Sequence, residues 1–172
     1  MQRIMIIGSP GSGKSTLAHA LGERFGIPVF HMDREVHWLP GWQERPREDK
    51  SAIVRRIISE DAWVFEGGNS ATYAERLARA EMLIWLDLPV GLRLWRVIRR
   101  AIRERGKTRP DLADNCPERL NMLPEFIGFI LRTRVASRRK QRAVFEDASC
   151  SRHCLSRQHE IDTFLKRLEI SR

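Results

Sequence analysis

Nine residues near the start of the chain, Gly8-Ser9-Pro10-Gly11-Ser12-Gly13-Lys14-Ser15-Thr16, constrain its fold more than any other stretch. They follow a short apolar run, "RIMII", and precede an amphipathic segment. Gly8, Gly13, Lys14 and Ser15 match the spacing G-x-x-x-x-G-K-[ST], with the strand before and the helix after that this motif needs. The glycines let successive backbone N–H groups turn inward as an anion nest. A helix opening at Lys14 adds its partial positive charge at the same point. Lys14 is then expected to reach the β- and γ-phosphates of a nucleotide, Ser15 to offer its hydroxyl to Mg²⁺, and Thr16 to cap the helix or touch the α-phosphate. Ser9, Pro10, Gly11 and Ser12 complete the cradle through their backbone, and the Ser9 and Ser12 hydroxyls are expected to be incidental.

Beyond this loop, short β-like runs alternate with helical ones. Residues 14–25 carry Leu17, Ala18, Leu21 and Phe25 on one helical face, and Gly26 and Pro28 stop that helix. Strands are predicted at about 3–7, 27–32, 62–67 and across "MLIWLDLP", with a short fifth at about 152–156. Helices are predicted at about 46–60, with Ile53, Ile57 and Ile58 inward, at 71–80, from Pro89 to about Arg105, from Glu118 to about Ala148 with a break near Ala136, and at the C-terminal end. Such alternation argues an α/β fold: a parallel sheet covered on both faces. In sheets of this kind ligands sit at the carboxyl ends of strands. Gly8, Asp33, Glu66 and Asp87 all lie at or just past such ends.

The chain has 172 residues, enough for one domain over 1–172 but not for two. No apolar run approaches the roughly 20 residues of a membrane span, and the N-terminus lacks the form of a signal peptide, so a cytoplasmic protein is expected. Three cysteines do not make a disulfide framework, and Cys150, His153, Cys154 and His159 lack the second pair a zinc site wants. The net charge of +9 is concentrated. Arg93 to Arg142 holds 15 Lys or Arg against 5 Asp or Glu, and the remainder holds 16 against 17. Such a segment serves a polyphosphate, a nucleic acid or solubility.

Three features separate the chain from a GTPase or a motor. It is short, it has no N/TKxD base-reading motif, and a polar, basic insert, "GKTRPDLADNCP", follows the fourth strand. The stretches "GSPGSGKSTLAHALGERFGIPVFHMD", "PGWQERPREDK", "WVFEGGN", "IWLDLPVGLRLWRVIRRAIRERGKTRPD" and "NCPERL" resemble the adenylate-kinase-like P-loop kinases, a group that includes shikimate and gluconate kinases. Within it the chain is most similar to the bacterial family labelled "DNA topology modulation protein". The resemblance implies a P-loop NTPase fold: a three-layer αβα arrangement, a five-stranded parallel sheet and a helical lid at about 103–120. It also implies ATP and Mg²⁺ as cofactors and phosphoryl transfer to a nucleotide, nucleoside or metabolite hydroxyl.

The same resemblance assigns site residues. Asp33 would hold or deprotonate the acceptor hydroxyl. Glu66 stands where similar kinases have Asp before Gly, and would meet the metal through water or the acceptor. Asn69 would contact the acceptor. Arg96 and Arg100, one helical turn apart, would clamp the transferring phosphate, joined by Arg109, and by Arg103, when the lid closes. His31 is expected to be a satisfied buried histidine and Asp87 a structural cap. Trp38 and Trp42 either stack on the acceptor or pack on the following helix, and Trp85 and Trp95 are expected in packing roles. The alternative reading is an ATP-binding regulatory or nucleic-acid-associated module resting on the basic segment.

Overall fold

The computed structural model describes residues 2–170. Within them lie seven strands and six α-helices. They are β1 (Arg3–Gly8), α1 (Lys14–Phe25), β2 (Val29–His31), β3 (Trp38–Leu39), β4 (Gln43–Glu44), α2 (Arg47–Ser59), β5 (Trp63–Glu66), α3 (Tyr73–Arg79), β6 (Met82–Leu86), α4 (Val90–Arg103), α5 (Leu123–Asp147), β7 (Ser151–Leu155) and α6 (Gln158–Ile170). Five strands form one parallel sheet in the order β2-β5-β1-β6-β7. β3 and β4 form a separate antiparallel hairpin.

The strands read as unbroken apolar runs because both faces of the sheet are covered. Alternate residues feed two cores. Met5, Ile7, Trp63 and Phe65 pack beneath Val54, Ile57 and Ile58 of α2, Tyr73 of α3 and Val144 and Phe145 of α5. Ile4, Ile6 and Val64 pack beneath Leu17, Ala18 and Leu21 of α1 and Ile161 and Phe164 of α6. The result is a three-layer αβα sandwich.

Several local expectations are corrected. The second strand is shorter than its apolar run: after His31 the chain winds into a π-helical turn, Met32–His37, so Asp33 lies just beyond the strand. α5 is unbroken at Ala136, because residues 129–147 contain no Gly or Pro and Ala is the best helix former. Trp95 is not a core residue: it is 54% exposed, with the Arg99 guanidinium over its ring. Trp85 is buried and donates to Gln141 Oε1 at 3.1 Å. Asp87 caps no helix; Arg138 grips both its carboxylate oxygens at 2.9–3.0 Å.

The insert between α4 and α5 has its own small core. Leu112, Ala113 and Cys116 are buried against Trp38 and Trp42, whose rings meet edge-on at 5.3 Å. The Trp42 indole donates to the Pro117 carbonyl at 3.2 Å. The tryptophans therefore bind the hairpin to the insert. Among the described residues no helix is long and apolar enough to cross a membrane.

Candidate active site

The loop from Gly8 to Gly13 joins β1, a central strand, to α1. Gly11 has φ +78, and a Cβ there would lie 2.4 Å from the Arg93 carbonyl oxygen. Only glycine fits that approach. Gly13, with φ +90, opens α1, and the Leu17 amide donates back to its carbonyl at 3.0 Å. Thr16 is exposed and α1 has no side-chain cap, so the capping role expected of Thr16 is not taken.

Two arginines of α4 tie the loop down. Buried Arg93 donates to the carbonyls of Leu88 (3.0 Å) and Pro10 (3.4 Å). Arg96 donates to the Ser12 carbonyl at 3.4 Å and to Gln158 at the start of α6. These bonds hold the Pro10 and Ser12 carbonyls toward α4, while the Ser12 amide closes a turn on the Ser9 carbonyl at 3.2 Å. The Ser12 hydroxyl is fully buried with no hydrogen-bond partner among the described residues. It is enclosed by the loop.

At the carboxyl end of the sheet the register sets His31 beside Glu66 and Glu66 beside Ile6. His31 Nδ1 lies 2.8 Å from Glu66 Oε1, both side chains being buried. The same Glu66 oxygen is 3.2 Å from Ser15 Oγ. Ser15 Oγ is also 2.9 Å from Asp111 Oδ2 of the insert. Asp111 accepts from Arg109 at 2.8 Å, and Arg109 and Arg100 both pair with Glu118 Oε1 (2.9 and 3.2 Å). One polar chain thus runs from β2 through β5, the phosphate loop and the insert to α4.

Electrostatics differ along this chain. Burial would raise the Asp111 carboxyl, but the Arg109 charge and the Ser15 hydrogen bond outweigh it and hold its pKa below the ordinary range. Arg100 is pushed down by burial and by neighbouring Arg109, against the pull of Glu118. Asp33 is raised, first by the protein walls around it and then by the Glu66 charge, with His37, Lys14 and Arg109 opposing. Its side chain is open to the cleft, yet protein encloses that cleft on the longer scale over which a charge senses its medium.

Arg96 and Arg100 share a face of α4 but serve different partners: Arg96 braces the phosphate loop, and Arg100 joins the insert's ion pairs. Arg103 pairs with adjacent Glu104. The Asn69 carbonyl accepts from Thr72 in a 3₁₀ turn. Sequence reasoning missed Asp111, Arg93 and Arg76 as members or supports of this site. The one available signal was an acid, Asp111, two residues after an arginine already placed there.

A glycine-rich phosphate loop on a central parallel strand, faced by acids from adjoining strand ends, defines a P-loop nucleotide-binding protein. The chain belongs to the AAA domain family, which its residues 4–116 match. It is also similar to the shikimate kinase of Rhodopseudomonas palustris, 27% identical over 124 residues, or 64% of this chain and 61% of that protein. Similarity to the shikimate kinase of Persephonella marina is 28% over 104 residues, or 52% and 63%. The matches thus span under two thirds of these relatives' own length. A shikimate kinase from Acinetobacter baumannii, solved in complex with shikimate, shares the fold at TM-score 0.59 and 20% identity, over 99% of this chain and 93% of that one.

Proposed function

We propose that this protein transfers the γ-phosphoryl group of Mg-ATP to a hydroxyl or phosphate of a small-molecule acceptor. The observation that carries the reading is the convergence on Ser15 of Glu66 from the sheet and Asp111 from the insert, with Asp33 in the field of Lys14 and Arg109. The loop's geometry fits the nucleotide: positive-φ glycines, tethered carbonyls and a buried, unpartnered Ser12 hydroxyl make an anion cradle. ATP supplies the activated phosphoryl group.

The backbone amides of Gly11, Gly13, Lys14 and Ser15, with the Lys14 ammonium, would hold the phosphates, and Ser15 with Glu66 would face the cation. Asp33 orients the acceptor hydroxyl and takes its proton; a raised pKa makes it a better base than an ordinary carboxylate. Arg109 and Arg100, carried against Glu118, place positive charge where negative charge develops in transfer. The insert acts as a lid that excludes water. Kinase relatives support phosphotransfer as the chemistry, and shikimate is one candidate acceptor.

The test is an acceptor screen with Mg-ATP over shikimate, sugar-like alcohols, nucleosides and nucleotides, reading ADP release. Acceptor-dependent ADP is expected, and its loss in Lys14→Ala. Absence of acceptor-stimulated turnover across the panel would overturn the reading.

One observation favours a second reading. A groove of about 710 Å³ beside the phosphate loop is lined by Arg93, Arg134, Arg138, Arg139, Arg142 and Arg157. It fits the nucleic-acid-associated module implied by resemblance to the "DNA topology modulation protein" family. Salt-sensitive retention on DNA at about 0.15 M salt would support it, and free passage would dismiss it.

A further inference from the structure

Ser15 carries one hydroxyl proton, yet two carboxylate oxygens crowd its Oγ: Asp111 Oδ2 at 2.9 Å and Glu66 Oε1 at 3.2 Å. The proton satisfies one of them. The other meets a lone pair with a negative charge, an arrangement that costs energy in a partly enclosed site. His31 and Arg109 approach these same oxygens from outside, at 2.8 Å each, and so offset the carboxylates' charge without reaching between them and the hydroxyl. The three inner oxygens share one proton and remain a natural shell for a cation.

The spacings agree with that. Oxygens at adjacent corners of an octahedral magnesium shell, each about 2.0–2.1 Å from the ion, lie about 2.9 Å apart. Asp111 differs from the other two in where it comes from. Ser15 and Glu66 belong to the rigid sheet end, whereas Asp111 is fixed only by the insert. The insert in turn is pinned by the Trp38–Trp42 pair and by Arg34 donating to the Pro110 carbonyl at 3.3 Å.

We infer that Asp111 is a lid-borne partner of the magnesium centre, so that the cation links the lid to the phosphate loop through Asp111, Ser15 and Glu66. This rests on the kinase reading above, but assigns a role to a residue that the phosphate-loop motif does not include. Two consequences follow. Cation binding and lid closure strengthen one another by the same factor, as linkage requires. Nucleotide without metal closes the lid less well than nucleotide with it.

The test uses the full chain saturated with ADP in EDTA and then titrated with Mg²⁺. Intrinsic fluorescence reads the five tryptophans, Trp38 and Trp42 of the insert's small core among them, and timed trypsin digestion reports access to Arg105 and Lys107. Asp111→Asn, nearly isosteric, is compared with wild type and with Asp111→Glu, which restores the charge. Expected for Asp111→Asn are ADP binding retained in EDTA, a roughly tenfold higher Mg²⁺ concentration at half-saturation, and loss of the Mg²⁺-induced trypsin protection. Asp111→Glu should recover part of both.

Equal or tighter Mg²⁺ binding by Asp111→Asn would overturn the proposal, since Asp111 would then be only a latch that the cation displaces. If Asp111→Asn and Asp111→Glu fail alike, a role through fold alone is indicated and the proposal is likewise overturned. If wild type binds no ADP even in EDTA, the kinase reading itself fails; metal-specific failure with ADP binding intact leaves that reading standing.

Discussion

Arg76 grips the backbone on both sides of Glu66. Its two terminal nitrogens donate to the carbonyls of Phe65 (2.8 Å) and Gly67 (2.9 Å), while its guanidinium lies 4.3 Å from the centre of the Phe65 ring. Arg76 is fully buried, and burial pushes its pKa down to about 10, so it remains charged at neutral pH. It holds the end of β5 so that Glu66 faces Ser15. Arg76→Met would take both donors away from these carbonyls and is expected to cost about 3 kcal/mol in urea unfolding. Arg76→Lys, charged but unable to fork, should fall between the two.

With Asp33 in the proposed role of base, it would set the pH dependence of turnover. Its carboxyl is raised above the ordinary range, and a base must be deprotonated, so kcat/KM should fall as pH drops through that raised pKa rather than near 4. The stability sign is opposite. The native carboxyl binds its proton more tightly than the unfolded one, so ionised Asp33 weakens the fold above the raised pKa, and the protein gains stability as pH falls through it. Asp33→Asn should therefore raise Tm at pH 7 while lowering turnover about 10²–10⁴-fold. Paired melting and steady-state rates check both halves.

Gly11 has no room for a side chain. Gly11→Ala would drive a methyl group to 2.4 Å from the Arg93 carbonyl at φ +78, forcing the loop off α4. Nucleotide affinity by calorimetry is expected to fall at least about tenfold, with the far-UV spectrum retained.

Trp42 anchors the insert through its indole bond to Pro117 and its contacts with Leu112, Ala113 and Cys116. Trp42→Ala removes most of that small core, while the two main cores lie elsewhere. Tryptic cleavage after Arg105 or Lys107 should quicken about tenfold, a local opening made easier by roughly 1.4 kcal/mol, with global unfolding little changed.

The sheet and the phosphate loop were legible because they rest on local rules. Buried parallel strands read as apolar runs, the loop needs its glycines, and α1 spans Lys14–Phe25 as its apolar spacing demands. Glu66 was legible as a strand-end acid. Asp111 was not, since nothing periodic marks an acid in a polar loop, and only the docking of the insert brings it 96 residues back to Ser15. Arg76 was hidden for the opposite reason: arginines are usually exposed, and only tertiary packing turns one inward. The separate contacts of Arg96 and Arg100 were not legible either, because their partners Gln158 and Glu118 are distant in sequence.

The central claim is tested most directly by following the label of γ-phosphate-labelled ATP, with Mg²⁺ and the acceptor panel, in wild type and Lys14→Ala. The account predicts label in an acceptor product with wild type, and a loss of at least about a hundredfold with Lys14→Ala. Label released only as inorganic phosphate, or equal transfer by both proteins, would contradict it.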